Sequence, residues 1–123
     1  MRIGVDIVSV SKIAHSLSVS TKFASMVFAP GEREYARQMP ECRAHEFLAG
    51  RFAAKEAVLK TLGVGFGGAI ALRDIETITA EDGYPELRLS ESALFASELL
   101  NLSQWHVSIS HEKDLAIAFV IAD

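Results

Sequence analysis

The sequence predicts an α+β fold, in which a mainly antiparallel sheet packs against a long central helix. The chain opens with a segment rich in Ile and Val, residues 2–10, and its second half carries two pairs of strand-like segments joined by polar turns. Between them, a stretch of about 20 residues has apolar side chains at spacings of three and four, which indicates one long helix. The length of 123 residues predicts a single domain over residues 1–123.

The composition excludes several broad classes of function. The net charge of −4 argues against a general nucleic-acid-binding protein, which needs a basic surface. The single cysteine, Cys42, allows no internal disulfide and is typical of a reducing compartment. No segment has the features of a signal peptide, and no apolar run approaches the roughly 20 residues that cross a membrane. We therefore expect a cytoplasmic protein without a membrane partner.

The first segment, residues 2–10, predicts a strand that Asp6 interrupts. A carboxylate in an apolar strand is costly to bury without a partner. Two interpretations are open: the strand ends near Asp6 and its side chain is solvated, or Asp6 projects from the strand as a metal ligand. Ser9 or Ser11 then caps a short helix that ends at residue 17.

Short helical segments follow, at residues 23–28 and from Pro30 onwards. The lysines of this region, Lys12 and Lys22, belong either to an ordinary solvated face or to a docking surface for an acidic partner. The chain breaks again at Pro40, and the long helix begins between Glu41 and Ala44 and ends at residue 62.

The long helix carries charged residues among its apolar ones. Glu56 and Lys60 are four residues apart and share a face, which by itself indicates a common intrahelical ion pair. Arg51 and Lys55 share another face, and Lys55 is rotated from Glu56 by about 100°. The helix ends in a glycine-rich loop whose exposed backbone amides suit phosphate binding, at Gly63, Gly65, Gly67 and Gly68.

The second half of the chain predicts two hairpins and a helix. A strand over residues 69–79, interrupted at Arg73-Asp74, turns at residues 81–83 and returns over 84–89. Ser90 caps a helix over residues 91–100. A strand at 105–109, a polar turn at 110–114 and a strand at 115–122 complete the chain. His111 lies in that polar turn, either without a task or as a phosphate-facing or proton-handling imidazole.

Three separated motifs together resemble one family. IGVDIVSV carries Gly-x-Asp on the leading strand, FLAGRFAAKEAVLKTLGVGFG carries Phe-x-x-Lys-Glu-Ala-x-x-Lys, and HVSISHEKDLAIAFVI carries Ser-x-Ser-His before the closing strand. In this order and spacing, the chain closely resembles the small 4′-phosphopantetheinyl transferases of the holo-acyl-carrier-protein synthase type. FAPGERE, RDIE and DGYPELRL resemble the connecting segments of that family.

The resemblance implies the fold of that family and a reaction. The 4′-phosphopantetheine arm of coenzyme A moves to a serine of an apo acyl carrier protein, releases adenosine 3′,5′-bisphosphate, and activates the carrier for fatty-acid or polyketide synthesis. Asp6 and Glu56 match the metal carboxylates, which hold Mg²⁺ as cofactor. Lys60 matches a catalytic lysine that stabilises charge on the pyrophosphate. The general base is open: Glu56 through metal-bound water, or an aspartate of the carrier.

The resemblance also implies how coenzyme A and the carrier bind. His111 matches a histidine that contacts a phosphate of coenzyme A, and Arg51, Gly63 and Gly65 are candidates for holding its nucleotide end. The small members of the family are homotrimers with active sites between subunits. They recruit the acidic carrier through cations on the first helix, where this chain has only Lys12 and Lys22.

Two other functions stay open from the sequence. One is a module that binds coenzyme A or a carrier and transfers nothing, although the carboxylates Asp6 and Glu56 favour an enzyme. The other is a Mg²⁺-dependent hydrolase that cleaves nucleotide pyrophosphates and needs no carrier.

Overall fold

The computed structural model describes residues 1–64 and 68–123, so the predicted role of Gly65 lies outside the described residues. The elements, in chain order, are β1 (Arg2–Ser9), α1 (Val10–Val19), α2 (Thr21–Val27), α3 (Pro30–Arg37), α4 (Glu41–Leu62), a short 3₁₀ helix (Leu72–Asp74), β2 (Ile75–Thr79), β3 (Pro85–Leu89), α5 (Glu91–Leu99), β4 (Trp105–Glu112) and β5 (Leu115–Ala122). The predicted α+β class, with antiparallel pairing and a long helix, is confirmed.

The strands form two antiparallel sheets within the described residues. The larger sheet has the order β1-β5-β4, so the last strand lies between the first and the fourth. Its two neighbours hold Asp6 opposite Ala118 and His111 opposite Ala116. Because side chains alternate across a strand, these positions put Asp6 and His111 on the same face as buried Ala116 and Ala118. The second sheet is the β2–β3 hairpin.

Helix α4 lies across that buried face and is the centre of the core. It is 22 residues long, and most of its side chains from Leu48 onwards are buried, because it contacts β1, β5, β2 and α3 on different sides. Small residues such as Ala53, Ala54 and Ala57 let its backbone approach the sheet closely. The helix ends at Gly63, which adopts φ +79°, a left-handed conformation that glycine adopts at little steric cost.

Three predicted boundaries were wrong. Strand β1 runs through Asp6 without interruption to Ser9, since each of its residues pairs with β5. The predicted strand over residues 69–79 begins only at Ile75, after the 3₁₀ helix. Strand β4 extends to Glu112, so the turn contains only Lys113 and Asp114, and Lys113 takes φ +53°. His111 is therefore a strand residue and not a turn residue.

None of the helices in the described part of the chain combines the length and apolar character needed to span a bilayer.

Candidate active site

The site begins with a close approach of β1 to α4. A side chain at Gly4 would collide with the carbonyl oxygen of Ala57 and would lie 2.5 Å from Oγ1 of Thr61. Glycine is therefore the residue that lets the strand lie directly on the helix backbone. Asp6 is two residues further on, so its side chain points to the same face and meets the last turns of α4. This explains the spacing of the Gly-x-Asp motif.

Asp6 and Lys60 meet across this contact. Lys60 Nζ lies 3.1 Å from Oδ1 of Asp6 and donates a hydrogen bond of 3.0 Å to the carbonyl oxygen of Val5. The side chain of Asp6 is 15% exposed, whereas that of Lys60 is 56% exposed. Lys60 therefore pairs with a residue 54 positions away, in place of the intrahelical ion pair with Glu56 that its spacing suggests.

Glu56 completes this group and has a perturbed acidity. Burial raises the pKa of Glu56 above the ordinary glutamate value, the negative charge of Asp6 raises it further, and Lys60 partly offsets both. Two carboxylates that repel each other, with one cation beside them, form a site with an excess of negative charge. We call Asp6, Glu56 and Lys60 the carboxylate cluster.

The donor set of the carboxylate cluster fits Mg²⁺. This ion takes oxygen ligands and is usually held by one or two carboxylates, with substrate phosphates and water in its other positions. The described residues, 1–64 and 68–123, contain no group of three or more His, Cys, Asp or Glu side chains arranged around a metal. Two carboxylates at a partly exposed position could therefore supply the protein ligands of Mg²⁺, with phosphate oxygens and water as its other ligands.

Lys55, the neighbour of Glu56 in the motif, serves another purpose. Its Nζ lies 2.6 Å from Oε1 of Glu32, both side chains are fully buried, and it also donates to the carbonyl oxygens of Leu72 and Ile75. Burial lowers the pKa of Lys55, and the charge of Glu32 opposes that effect. Glu32 in turn accepts from the backbone N–H of Thr77 at 3.0 Å. No pattern in the sequence indicates this buried pair, which joins α3, α4 and β2.

Arg51 lies on the side of α4 that faces the β2–β3 hairpin. Its guanidinium stacks 4.1 Å above the ring of Phe47 and donates to Oγ1 of Thr79 at 2.7 Å. Burial lowers the pKa of Arg51, and nearby Glu32 and Tyr35 oppose this. Its Nε atom, although buried, has no hydrogen-bond partner in the described residues. Arg51 is five residues before Glu56, about 140° around the helix, so the two side chains point to different faces.

His111 contacts the N-terminal half of α4. Its Nε2 atom lies 2.8 Å from the carbonyl oxygen of Glu46. A carbonyl only accepts, so Nε2 is the donor in this contact. A side chain at Gly50 would lie 2.9 Å from Nε2, so this glycine makes room for the imidazole. A phosphate would accept a hydrogen bond from Nδ1 once the ring is protonated.

Gly63 uses its backbone amide within the protein. The Gly63 N–H donates to the carbonyl oxygen of Lys60 at 3.1 Å, and the next amide, of Val64, donates to Leu59 at 3.0 Å. These bonds close the end of α4 in the pattern typical of a glycine C-cap. Gly63 therefore ends the helix three residues after Lys60.

Comparison with known proteins identifies the family. The model of the 4′-phosphopantetheinyl transferase superfamily matches residues 2–120. The chain belongs to this superfamily. The resemblance that the three motifs predicted is thereby confirmed, and the phosphopantetheinyl transferases are enzymes.

Individual relatives agree with this assignment. The holo-[acyl-carrier-protein] synthase of Nitratidesulfovibrio vulgaris (strain Hildenborough) is 41% identical over 98% of this chain and 96% of its own. Among solved structures, the synthase of Neisseria meningitidis superposes with a TM-score of 0.85 at 35% identity, covering 99% of this chain and 97% of that one. The Bacillus anthracis synthase, in complex with CoA (3′,5′-ADP), gives 0.81 at 36%, with 98% and 94% covered.

The predicted site residues of this phosphopantetheinyl transferase fall into two groups within one chain. The carboxylate cluster lies at the C-terminal end of α4. Arg51 and His111 lie near Gly50, which is ten residues and about 15 Å of helix rise before Lys60. Within the described residues of one subunit, Arg51 and His111 therefore do not reach Lys60.

The two lysines predicted to dock a carrier are exposed but lie on different helices. Lys12 is in the first turn of α1, three residues after the end of β1, the strand that carries Asp6. Lys22 is at the start of α2 and not on the first helix, because the chain bends at Ser20. Both side chains face solvent.

Proposed function

We propose that this phosphopantetheinyl transferase is a holo-[acyl-carrier-protein] synthase. It transfers 4′-phosphopantetheine from coenzyme A to a serine of an apo acyl carrier protein in a Mg²⁺-dependent reaction, and so activates carriers for fatty-acid or polyketide synthesis. The observation that carries the proposal is the carboxylate cluster, in which two acidic side chains from β1 and α4 meet beside one partly exposed cation. Curated relatives with this name match nearly the full chain.

The reaction transfers one phosphoryl group, with pantetheine attached to it, from coenzyme A to the carrier. The hydroxyl oxygen of the carrier serine forms a bond to the phosphorus attached to pantetheine, and the bond from that phosphorus to the bridging oxygen breaks. The electron pair of the broken bond leaves with adenosine 3′,5′-bisphosphate. Bound Mg²⁺ supplies charge neutralisation on the pyrophosphate oxygens. The proton of the serine leaves to a base, for which Glu56 and a carrier aspartate remain the two candidates.

The residues of this chain have distinct tasks in that reaction. Asp6 and Glu56 hold the metal, and the raised pKa of Glu56 is consistent with a site that a cation would stabilise. Lys60 is exposed enough to leave Asp6 and contact the negative charge that develops on the leaving group. Arg51, Gly63 and His111 are the proposed contacts to the nucleotide end of coenzyme A, with the loop at Gly65 as a further contribution.

We further propose that the protein is a homotrimer with active sites between subunits. The large sheet has an outer face that no element of the described chain covers, and its apolar side chains are between 39% and 59% exposed: Ile3, Val5, Ile7, Leu115, Ile117 and Phe119. A monomer rarely exposes so large an apolar surface. A neighbouring subunit would also supply its own Arg51 and His111, since Gly50, beside which both lie, is about 15 Å of helix rise before Lys60 in the same chain.

A mass-spectrometric transfer assay tests the function. The protein is incubated with coenzyme A, Mg²⁺ and a panel of apo carriers, and the carrier serine is expected to gain one phosphopantetheine group. Absence of any mass gain across the panel contradicts the proposal. Release of adenosine 3′,5′-bisphosphate without carrier would instead indicate the hydrolase.

Substitution of Glu56 tests the metal assignment. Glu56→Gln keeps the shape but removes the charge, and we expect transfer to fall by a factor of about 10² or more, since removing one charge-stabilising group in a transfer site commonly costs that much. Glu98→Gln on α5 is the matched control and should transfer normally. Near-normal turnover of Glu56→Gln at saturating Mg²⁺ removes Glu56 from the metal site.

A further inference from the structure

Asp114, in the two-residue turn between β4 and β5, caps helix α1 from a distant part of the chain. Its Oδ1 accepts the backbone N–H of Ser11 at 2.9 Å, and its own carbonyl oxygen accepts the backbone N–H of Val10 at 2.8 Å. Its Oδ2 accepts the hydroxyls of Ser9 and Ser11, both at 2.7 Å. The residues that meet are 103 to 105 positions apart in sequence.

These bonds add to the local cap of α1, which is the side chain of Ser9. The first N–H groups of a helix have no partner within the helix and need an acceptor. Here Val10 and Ser11 donate to Asp114, and only Lys12 donates to the local cap Ser9, at a longer distance of 3.3 Å. The first turn of α1 contains no acidic residue. The negative charge that favours a helix N-terminus therefore comes from the hairpin.

The same contact connects three segments that carry predicted site residues, namely β1, the first turn of α1 and the β4–β5 hairpin. Helix α1 follows directly from β1, which carries Asp6, and the capped turn of α1 carries Lys12. The hairpin that supplies Asp114 also carries His111, three residues earlier. The hydrogen bonds that Ser11 and Ser9 donate lower the pKa of Asp114, because they stabilise its ionised carboxylate.

We propose that Asp114 is a positioning residue for carrier binding, which holds the first turn of α1 so that Lys12 faces the docked carrier. The inference rests on the proposed function, because it assumes that Lys12 contacts the acidic carrier. Asp114 does not touch coenzyme A or the reacting atoms in this assignment. Its removal should therefore affect the carrier step and leave the chemistry of the carboxylate cluster unchanged.

Steady-state kinetics with two substrates test this assignment. We expect Asp114→Ala to raise the KM for the apo carrier roughly two- to fivefold, the range for loss of one exposed charge contact. The kcat and the KM for coenzyme A should stay within about twofold of wild type, because Asp114 does not contact the carboxylate cluster and distant sites act independently. Glu112→Ala, which removes a carboxylate from the same hairpin but not from the cap, is the control and should leave all three parameters unchanged.

Asp114→Asn separates the charge from the hydrogen bonds. The amide keeps an acceptor for Ser11 but loses the negative charge, so its carrier KM should lie between those of wild type and Asp114→Ala. This variant also keeps the question testable if Asp114→Ala does not fold, as judged by circular dichroism.

A double-mutant cycle with Lys12 decides whether Asp114 acts through that residue. In a Lys12→Ala background, Asp114→Ala should raise the carrier KM no further. Additive effects, or equal changes in kcat and in both KM values, overturn the inference. If wild type transfers phosphopantetheine and the carrier KM of the Asp114 variants is unchanged, only this inference fails. If wild type loads no carrier, the proposed function itself fails.

Discussion

At the scale of single residues, the chemistry depends on how three charges share a small volume. Glu56 is half-buried beside Asp6, and Lys60, on the same helix as Glu56, contacts Asp6 on β1. The pKa of Glu56 therefore depends on the charges of both Asp6 and Lys60, and it can be measured in the protein without metal.

Nuclear magnetic resonance of the Glu56 side-chain carboxyl carbon gives a direct prediction. Asp6→Asn removes a neighbouring negative charge and should lower the pKa of Glu56. Lys60→Met removes a neighbouring positive charge and should raise it. Lys12→Met, outside the cluster, should leave it unchanged. If Asp6→Asn raises the pKa or leaves it unaltered, the two carboxylates are not neighbours in solution.

The sequence identified the residues of the cluster but not all of their contacts. Asp6, Glu56 and Lys60 were predicted to meet because their motifs match a family, whereas their spacing alone favoured an intrahelical ion pair. Lys55 was recognised as pointing elsewhere from its position on the helix. Its partner Glu32 is 23 residues away, and no local pattern indicates a pair that forms only when α3 packs on α4.

At the scale of elements, the sequence predicts features that depend on one segment more reliably than features that depend on strand pairing. The end of α4 was predicted correctly, since apolar spacing and Gly63 are properties of the segment itself. The extent of β4 was underestimated, because Ser110, His111 and Glu112 are polar and pair only because β5 continues beside them. The location of His111 depended on that pairing.

The contact between β1 and α4 provides a prediction about Gly4. Gly4→Ala places a methyl group against the backbone of Ala57, which cannot move aside without displacing the helix. We expect the free energy of unfolding in urea to fall by about 1–3 kcal/mol, the usual cost of overpacking, and transfer to weaken as Asp6 moves from Lys60. Gly31→Ala is the control, because its new methyl group meets only the movable carboxylate of Glu76. Equal stability of both variants contradicts the close contact.

At the scale of the whole molecule, the uncovered outer face of the large sheet is the main feature that one chain does not explain. The face is apolar across β1 and β5, and β4 contributes His106, Ser108 and Ser110 to the same side. The sequence predicted strands with apolar residues on both faces, but only the packed structure distinguishes the face that α4 covers from the face that is left exposed.

Sedimentation velocity tests whether subunits cover this face. Ile7→Glu places a charge in the centre of the apolar surface, and we expect the trimer to dissociate into folded monomers that have lost most transfer activity. Val19→Glu, on the exposed end of α1, should remain trimeric. Monomeric wild-type protein with full activity, or trimeric Ile7→Glu, contradicts the proposed assembly.

The length of α4 has a consequence for how this chain can change during evolution. The helix joins the carboxylate cluster at one end to Arg51 and His111 near Gly50, and every residue between them adds about 1.5 Å and 100° of rotation. One inserted or deleted residue in this interval would misplace Glu56 and Lys60 in both distance and direction. Natural length variants should therefore have their insertions outside residues 50–60, for example at the Asp82-Gly83 turn, where added residues alter neither spacing.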